Sequence, residues 1–142
     1  MRLQLALNVN DLDRSIDFYS KMFGAEPYKV RDGYANFAIS DPPLKLVLFE
    51  APGQGESINH LGVETDTAQQ VEDAEARLSE EGLTTTGVAH TECCYAAKTE
   101  TWVDGPDTRW EWYLKKGDTE QLENVVVSTG GAVCCEPEST CC

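Results

Sequence analysis

Gln4-Leu5-Ala6-Leu7 near the start of the chain and His60-Leu61-Gly62-Val63 further on share one pattern, and that repeat decides the fold. Around the first copy, Leu3, Leu5, Leu7 and Val9 point one way and Gln4, Ala6 and Asn8 the other, as a half-buried strand requires. Around the second, Leu61 and Val63 oppose His60, Gly62 and Glu64. A later pair matches in the same way, Leu44-Lys45-Leu46-Val47 with Trp110-Glu111-Trp112-Tyr113. The leucine and tryptophan rows are expected to lie beneath helices. The opposite row, Gln4, Lys45, His60 and Glu111, is then expected to line one shared concave face.

The segments between these strands complete two similar units. Asp11 or Asp13 caps a helix through about Phe23, with Leu12, Ile16, Tyr19 and Phe23 at helical spacing and Gly24 as the stop. Extended segments follow near Glu26–Val30, Tyr34–Ile39 and Leu44–Glu50, and Ala51-Pro52-Gly53-Gln54-Gly55 reads as a linker. In the second half, Thr67 and Gln70 have capping-box spacing for a helix to about Glu81 with Val71, Ala74 and Leu78 buried. Strands are expected at Leu83–Val88, Tyr95–Val103 and Trp110–Leu114, the last two joined by Asp104-Gly105-Pro106-Asp107. The acidic run of Glu72–Glu81 reads as a solvated helix face. The expectation is an α+β fold of two tandem βαβββ modules, about residues 1–50 and 57–116 of a 1–116 domain. Residues 117–142, polar and aperiodic, read as a flexible cysteine-containing tail.

With 142 residues, 41% hydrophobic and 25% charged, the chain has the makings of one ordinary globular domain. A formal charge of −14 argues against nucleic-acid and anionic-membrane partners, whose phosphates would be repelled. No stretch is long and apolar enough to span a bilayer, and the N-terminus lacks a signal peptide's apolar run, so a cytoplasmic location is expected. There thiols stay reduced. The six cysteines come as three adjacent pairs, Cys93-Cys94, Cys134-Cys135 and Cys141-Cys142. Such pairs make a poor disulfide framework, and no C-x-x-C zinc pattern is present.

Thr91-Glu92-Cys93-Cys94-Tyr95 is the unusual stretch. Neighbouring side chains on a strand point to opposite faces, so adjacent thiols converge only where the backbone bends. A converged pair chelates something soft. The bland alternative is two ordinary small buried residues. His90 and Glu92 read as solvated loop residues. Gln4 has a bland alternative too, as a polar residue on an exposed strand face.

Several of these stretches resemble a known superfamily. Asn8-Val9-Asn10-Asp11-Leu12 through Ser15-Ile16-Asp17-Phe18-Tyr19, then Phe23-Gly24, resembles the opening of the vicinal oxygen chelate superfamily of glyoxalase I, bleomycin-resistance proteins and extradiol dioxygenases. Val103-Asp104-Gly105-Pro106-Asp107 with Trp110-Glu111 resembles its last turn and ligand strand. Within the superfamily, four further stretches are similar to the organoarsenical carbon–arsenic lyases and the cadmium-induced proteins. They are Val30 to Phe37 (with Gly33-Tyr34-Ala35-Asn36-Phe37), Asp41-Pro42-Pro43-Leu44-Lys45-Leu46-Val47-Leu48, Asn59-His60-Leu61-Gly62-Val63-Glu64 and Cys93-Cys94-Tyr95-Ala96. The last is the most discriminating.

The resemblance implies metal ligands at Gln4, His60 and Glu111, with Lys45 in the fourth position. It also implies an iron(II)-dependent enzyme that uses O2 to cleave the carbon–arsenic bond of trivalent organoarsenicals such as methylarsenite, yielding arsenite. An imidazole, a carboxylate and an amide can hold a divalent first-row metal and leave positions open. Lys45 cannot ligate while protonated, which disfavours a four-ligand glyoxalase site. Cys93 and Cys94 would hold the arsenic, and Tyr95 and Tyr113 would wall the pocket. Small-molecule substrate and O2 are the expected partners, with the protein a monomer or homodimer. Two alternatives remain: a non-catalytic cadmium or metalloid binder of the same fold, and a glyoxalase-type or drug-binding member.

Overall fold

The computed structural model describes residues 1–129. Cys134, Cys135, Cys141 and Cys142 of the expected tail lie outside the described residues.

The two modules share one nine-stranded sheet. The strands and helices are β1 (Arg2–Val9), α1 (Leu12–Phe23), β2 (Lys29–Arg31), β3 (Tyr34–Ser40), β4 (Pro43–Glu50), β5 (Ser57–Glu64), α2 (Ala68–Glu80), β6 (Ala89–Cys93), β7 (Ala96–Asp104), β8 (Arg109–Asp118) and β9 (Val125–Thr129). The sheet order is β2-β3-β4-β1-β5-β8-β7-β6-β9. In each module the first strand pairs parallel with the last, β1 with β4 and β5 with β8, and β1 and β5 join the modules antiparallel at the centre. This is the α+β, tandem βαβββ arrangement that the repeat predicts.

Both helices are placed by local chemistry. Asp11 caps α1 by accepting from the Arg14 N–H, and Gly24 closes it in the left-handed conformation at φ 60°. The stripe of Leu12, Ile16, Tyr19 and Phe23 packs on Leu46, Leu48, Phe37 and Ile39. Leu5 and Leu7 join this layer, so the leucine row does lie beneath the helix. Thr67 and Gln70 form the capping box of α2, which buries Val71, Ala74 and Leu78. Removing that apolar row from water is the main force that seats each helix on the sheet.

Four expectations are corrected. The strand expected at Leu83–Val88 is irregular: Thr85 forms a single bridge to Val103, Gly87 turns at φ 74°, and the true strand β6 starts at Ala89. His90 and Glu92 consequently lie in that strand and not in a loop. Residues 117–129 do not leave the domain, because β8 runs to Asp118 and β9 pairs with β6 along Ala89–Glu92. Within the acidic run, Glu75 is an anchor: its carboxylate accepts from Ser79 and Thr85 at 2.7 Å each and from Thr101, tying α2 to β7.

Candidate functional site

Gly62 of β5 is level with Gln4 of β1 on one side and Glu111 of β8 on the other, all with the parity of the concave face. A β-carbon at Gly62 would meet the Glu111 carbonyl oxygen at 3.0 Å and Gln4 Nε2 at 3.4 Å. Its absence lets those two side chains meet across the strand, with Gln4 Nε2 donating to Glu111 Oε2 at 3.0 Å. His60, two residues back on β5, completes the group: its Nε2 is 3.0 Å from Gln4 Nε2 and 3.4 Å from Glu111 Oε2. All three are buried, Glu111 completely. The three residues predicted as ligands therefore converge.

The hydrogen bonds around them orient the donors. His60 Nδ1 is 2.8 Å from Asn59 Oδ1, an oxygen that can only accept, so Nδ1 carries a hydrogen and Nε2 is the ring nitrogen turned towards Gln4 and Glu111. Asn59 is held in turn by Asn8, which accepts from it at 2.9 Å. The Tyr113 hydroxyl donates to Gln4 Oε1 at 2.5 Å. Turning the Gln4 amide end for end would present its oxygen to His60 and Glu111, and its N–H to Tyr113.

Among the described residues no three His, Cys, Asp or Glu side chains gather at one point, so a metal here must recruit an amide. The spacing suits that. Donors at right angles on a divalent ion, bonded at about 2.1 Å, stand about 3.0 Å apart. The separations of 3.0, 3.0 and 3.4 Å are close to this, and two of the groups are lone-pair acceptors aimed at one point. The donor set fits a hard or borderline divalent ion bound on one face.

Glu111 also has a counter-charge supplied by the protein itself. Lys98 of β7 donates to Glu111 Oε1 at 2.6 Å, and Glu100 Oε2 is 3.8 Å from the same ammonium. Burial alone would raise the Glu111 carboxyl, but the Lys98 charge and neighbouring hydrogen bonds hold it well below the usual carboxylate range. Glu100 goes the other way: burial and the Glu111 charge push it up to about 7, and its Oε2 has no hydrogen-bond partner. Lys45 stands in the fourth strand position, level with Gln4 on β1. Its ammonium is 3.5 Å from Glu64 Oε1 and 5.7 Å from the centre of the Tyr113 ring.

Cys93 and Cys94 sit where β6 turns into β7. Cys93 pairs with Ala96, leaving Cys94 and Tyr95 as a two-residue loop with φ of 58° and 60°. Positive φ at both positions is the turn that usually takes Asn-Gly, so two bulkier residues are held there at a cost in backbone strain. The bend brings the sulfurs to 2.6 Å of each other, and both cysteines are free. The hydrogen bond from Cys93, opposed by burial and aided by the Lys98 charge, lowers the Cys94 thiol; the same bond and burial raise Cys93. Residues beyond the expected domain end secure the loop: Leu122 O accepts from the Cys94 N–H at 2.9 Å and Gln121 O from the Tyr95 N–H at 2.8 Å.

Cys94, Gln4 and His60 line one cavity of about 20 Å³, near the size that holds a single water. Tyr113 walls it as expected. Tyr95 instead packs behind it on Tyr34, with ring centres 5.3 Å apart. Lys29, Lys45, Lys98 and Lys115 also line the cavity, so four of the chain's six lysines surround one point in a chain of net charge −14. Total charge gave no hint of this. Lys98 was legible in principle, since Lys98, Glu100 and Trp102 share the parity opposite to Thr99, Thr101 and Val103.

Residues 3–110 match the family profile described as Glyoxalase/Bleomycin resistance protein/Dioxygenase superfamily. A protein of Thermomonospora curvata named trivalent organoarsenical cleaving enzyme is 49% identical over 141 residues, covering 98% of this chain and 91% of that one. The cadmium-induced protein CadI of Mycobacterium tuberculosis is 48% identical over 141 residues, covering 95% of this chain and 93% of its own. Among solved structures, a Mn(II)-bound glyoxalase from Novosphingobium aromaticivorans superposes with a TM-score of 0.59 at 17% identity, over 82% of this chain and 40% of that one. A methylmalonyl-CoA epimerase from Mycobacterium tuberculosis gives 0.59 at 16%, over 78% and 85%.

Proposed function

The chain belongs to the Glyoxalase/Bleomycin resistance protein/Dioxygenase superfamily, and on that premise we propose that it cleaves the carbon–arsenic bond of trivalent organoarsenicals, using iron(II) and O2. The observation that carries this is the Cys93-Cys94 pair, with sulfurs 2.6 Å apart on a strained turn and Cys94 facing the cavity that Gln4 and His60 line. A soft, trivalent centre is what two converged thiols bind best.

Binding is a ligand exchange at arsenic. Cys93 and Cys94 each form a sulfur–arsenic bond, and the two arsenic hydroxyls leave as water with the two thiol protons. The lowered Cys94 thiol supplies the first thiolate, with the Lys98 ammonium as its counter-charge. Gln4, His60 and Glu111 would hold the iron, which when bound supplies the redox chemistry with O2. Holding arsenic at the turn presents its organic group to the same cavity, converting an encounter into an oriented contact worth up to about 7–11 kcal/mol. Tyr34, Val47, Phe49 and Tyr113 give it apolar and aromatic walls.

Cys93→Ser and Cys94→Ser are expected to abolish methylarsenite degradation while leaving the fold and divalent-metal binding intact. Unchanged turnover in both variants would exclude the assignment. The near-equal identity to a cadmium-induced protein favours one second reading, a thiol site that retains metal or metalloid ions without chemistry.

A further inference from the structure

Lys98 is a buried charge at the heart of the site, with an ammonium that cannot ligate a metal. Besides Cys94, whose charge it balances across the cavity, it meets Glu111 Oε1 at 2.6 Å, Glu100 Oε2 at 3.8 Å and the face of Tyr113, 5.0 Å from its centre. The two oxygens of Glu111 therefore have different neighbours. Oε1 belongs to Lys98, and Oε2 faces Gln4 and His60.

A fully buried carboxylate stays ionised only with a partner. In this fold the partner is built in, and it stands beside the place where a divalent ion would add a second positive charge. We infer that Lys98 is a positioning residue that holds Glu111 as a one-oxygen donor before metal arrives and weakens divalent binding by its own charge. This role presupposes that Gln4, His60 and Glu111 are the metal site. Removing the ammonium leaves Glu111 with the metal as its main counter-charge. Stability lost by the metal-free protein is then regained on binding, which by linkage is tighter binding. A residue that only filled space would lower stability equally with and without metal.

The test uses the full chain and Mn(II), a probe that prefers nitrogen and oxygen donors to the thiols. Thermal unfolding with and without Mn(II), and calorimetric titration, are compared between wild type and Lys98→Met. The metal-free variant is expected to unfold at a lower temperature than wild type, to gain more from saturating Mn(II), and to bind it about tenfold more tightly. If the variant is unfolded without metal, folding on addition of Mn(II) supports the role, and failure to fold overturns it. A gain from Mn(II) no larger than the wild type's, or an affinity no tighter, overturns it while leaving the metal site standing. A wild type that binds no Mn(II) overturns the metal site and the role of Lys98 together.

Discussion

Glu100 and Glu111 flank one ammonium, and their surroundings push them in opposite directions. Glu111 is held below the ordinary value of 4.5, so its contribution to stability is present above about pH 4.5 and fades as pH falls towards its folded value. Glu100 is raised to about 7, so its contribution is present below about pH 4.5 and is lost as pH climbs through 7. Each pH unit in that window removes up to about 1.4 kcal/mol. Urea unfolding of the metal-free protein at pH 5 and pH 8 is therefore expected to show wild type losing about 2 kcal/mol relative to Glu100→Gln. A difference between the two proteins that does not change with pH contradicts this placement of Glu100. Residues at this scale divided by whether a period revealed them. Gln4, His60 and Glu111 repeat across the modules, so parity placed them on one face. Lys98 and Glu100 do not belong to the repeated row: Lys98 stands opposite Lys115 and Glu100 opposite Tyr113, so their meeting with Glu111 is a diagonal contact between β7 and β8 that no single-strand pattern contains.

Two elements convert sequence position into chemistry. The β6–β7 turn forces adjacent thiols together, which no straight strand does. Its strain is offset by the N–H groups of Cys94 and Tyr95 bonding to Leu122 and Gln121, and by Lys29 donating to Tyr95 O at 2.8 Å. The second element is β5, whose Gly62 leaves room for Gln4 and Glu111 to touch. Gly62→Ala places a β-carbon 3.0 Å from the Glu111 carbonyl and 3.4 Å from the Gln4 amide, so one of them must shift. The variant is expected to fold and to bind Mn(II) about tenfold more weakly, as loss of a supporting contact in a metal site does. Titration calorimetry checks this, and an unchanged affinity contradicts the proposed function of that glycine. The glycine's identity was visible from the start, but its reason was not: it lies in the pairing of three strands and not in β5 alone. The position of β6 was likewise hidden, because Leu83–Val88 has strand-like residues yet Leu83 is about half exposed and Gly87 turns the chain away.

For the whole molecule, duplication does most of the work. Two βαβββ units each bury one apolar row under a helix and turn the polar row inward, so a shared face follows from the repeat. What the repeat could not supply is the asymmetric part: β9, the strap of residues 119–124 over the cysteine turn, and the lysines around the cavity. Among the described residues no helix is long and apolar enough to cross a membrane. The proposed activity requires the Gln4, His60 and Glu111 face and the Cys93-Cys94 turn to act on one substrate. Aerobic incubation of the protein with methylarsenite, with and without iron(II), followed by arsenic speciation, separates the outcomes. Catalytic release of arsenite that needs iron and is lost in Cys94→Ser is expected; methylarsenite retained at a fixed ratio to protein, with no arsenite released under either condition, would rule the proposal out.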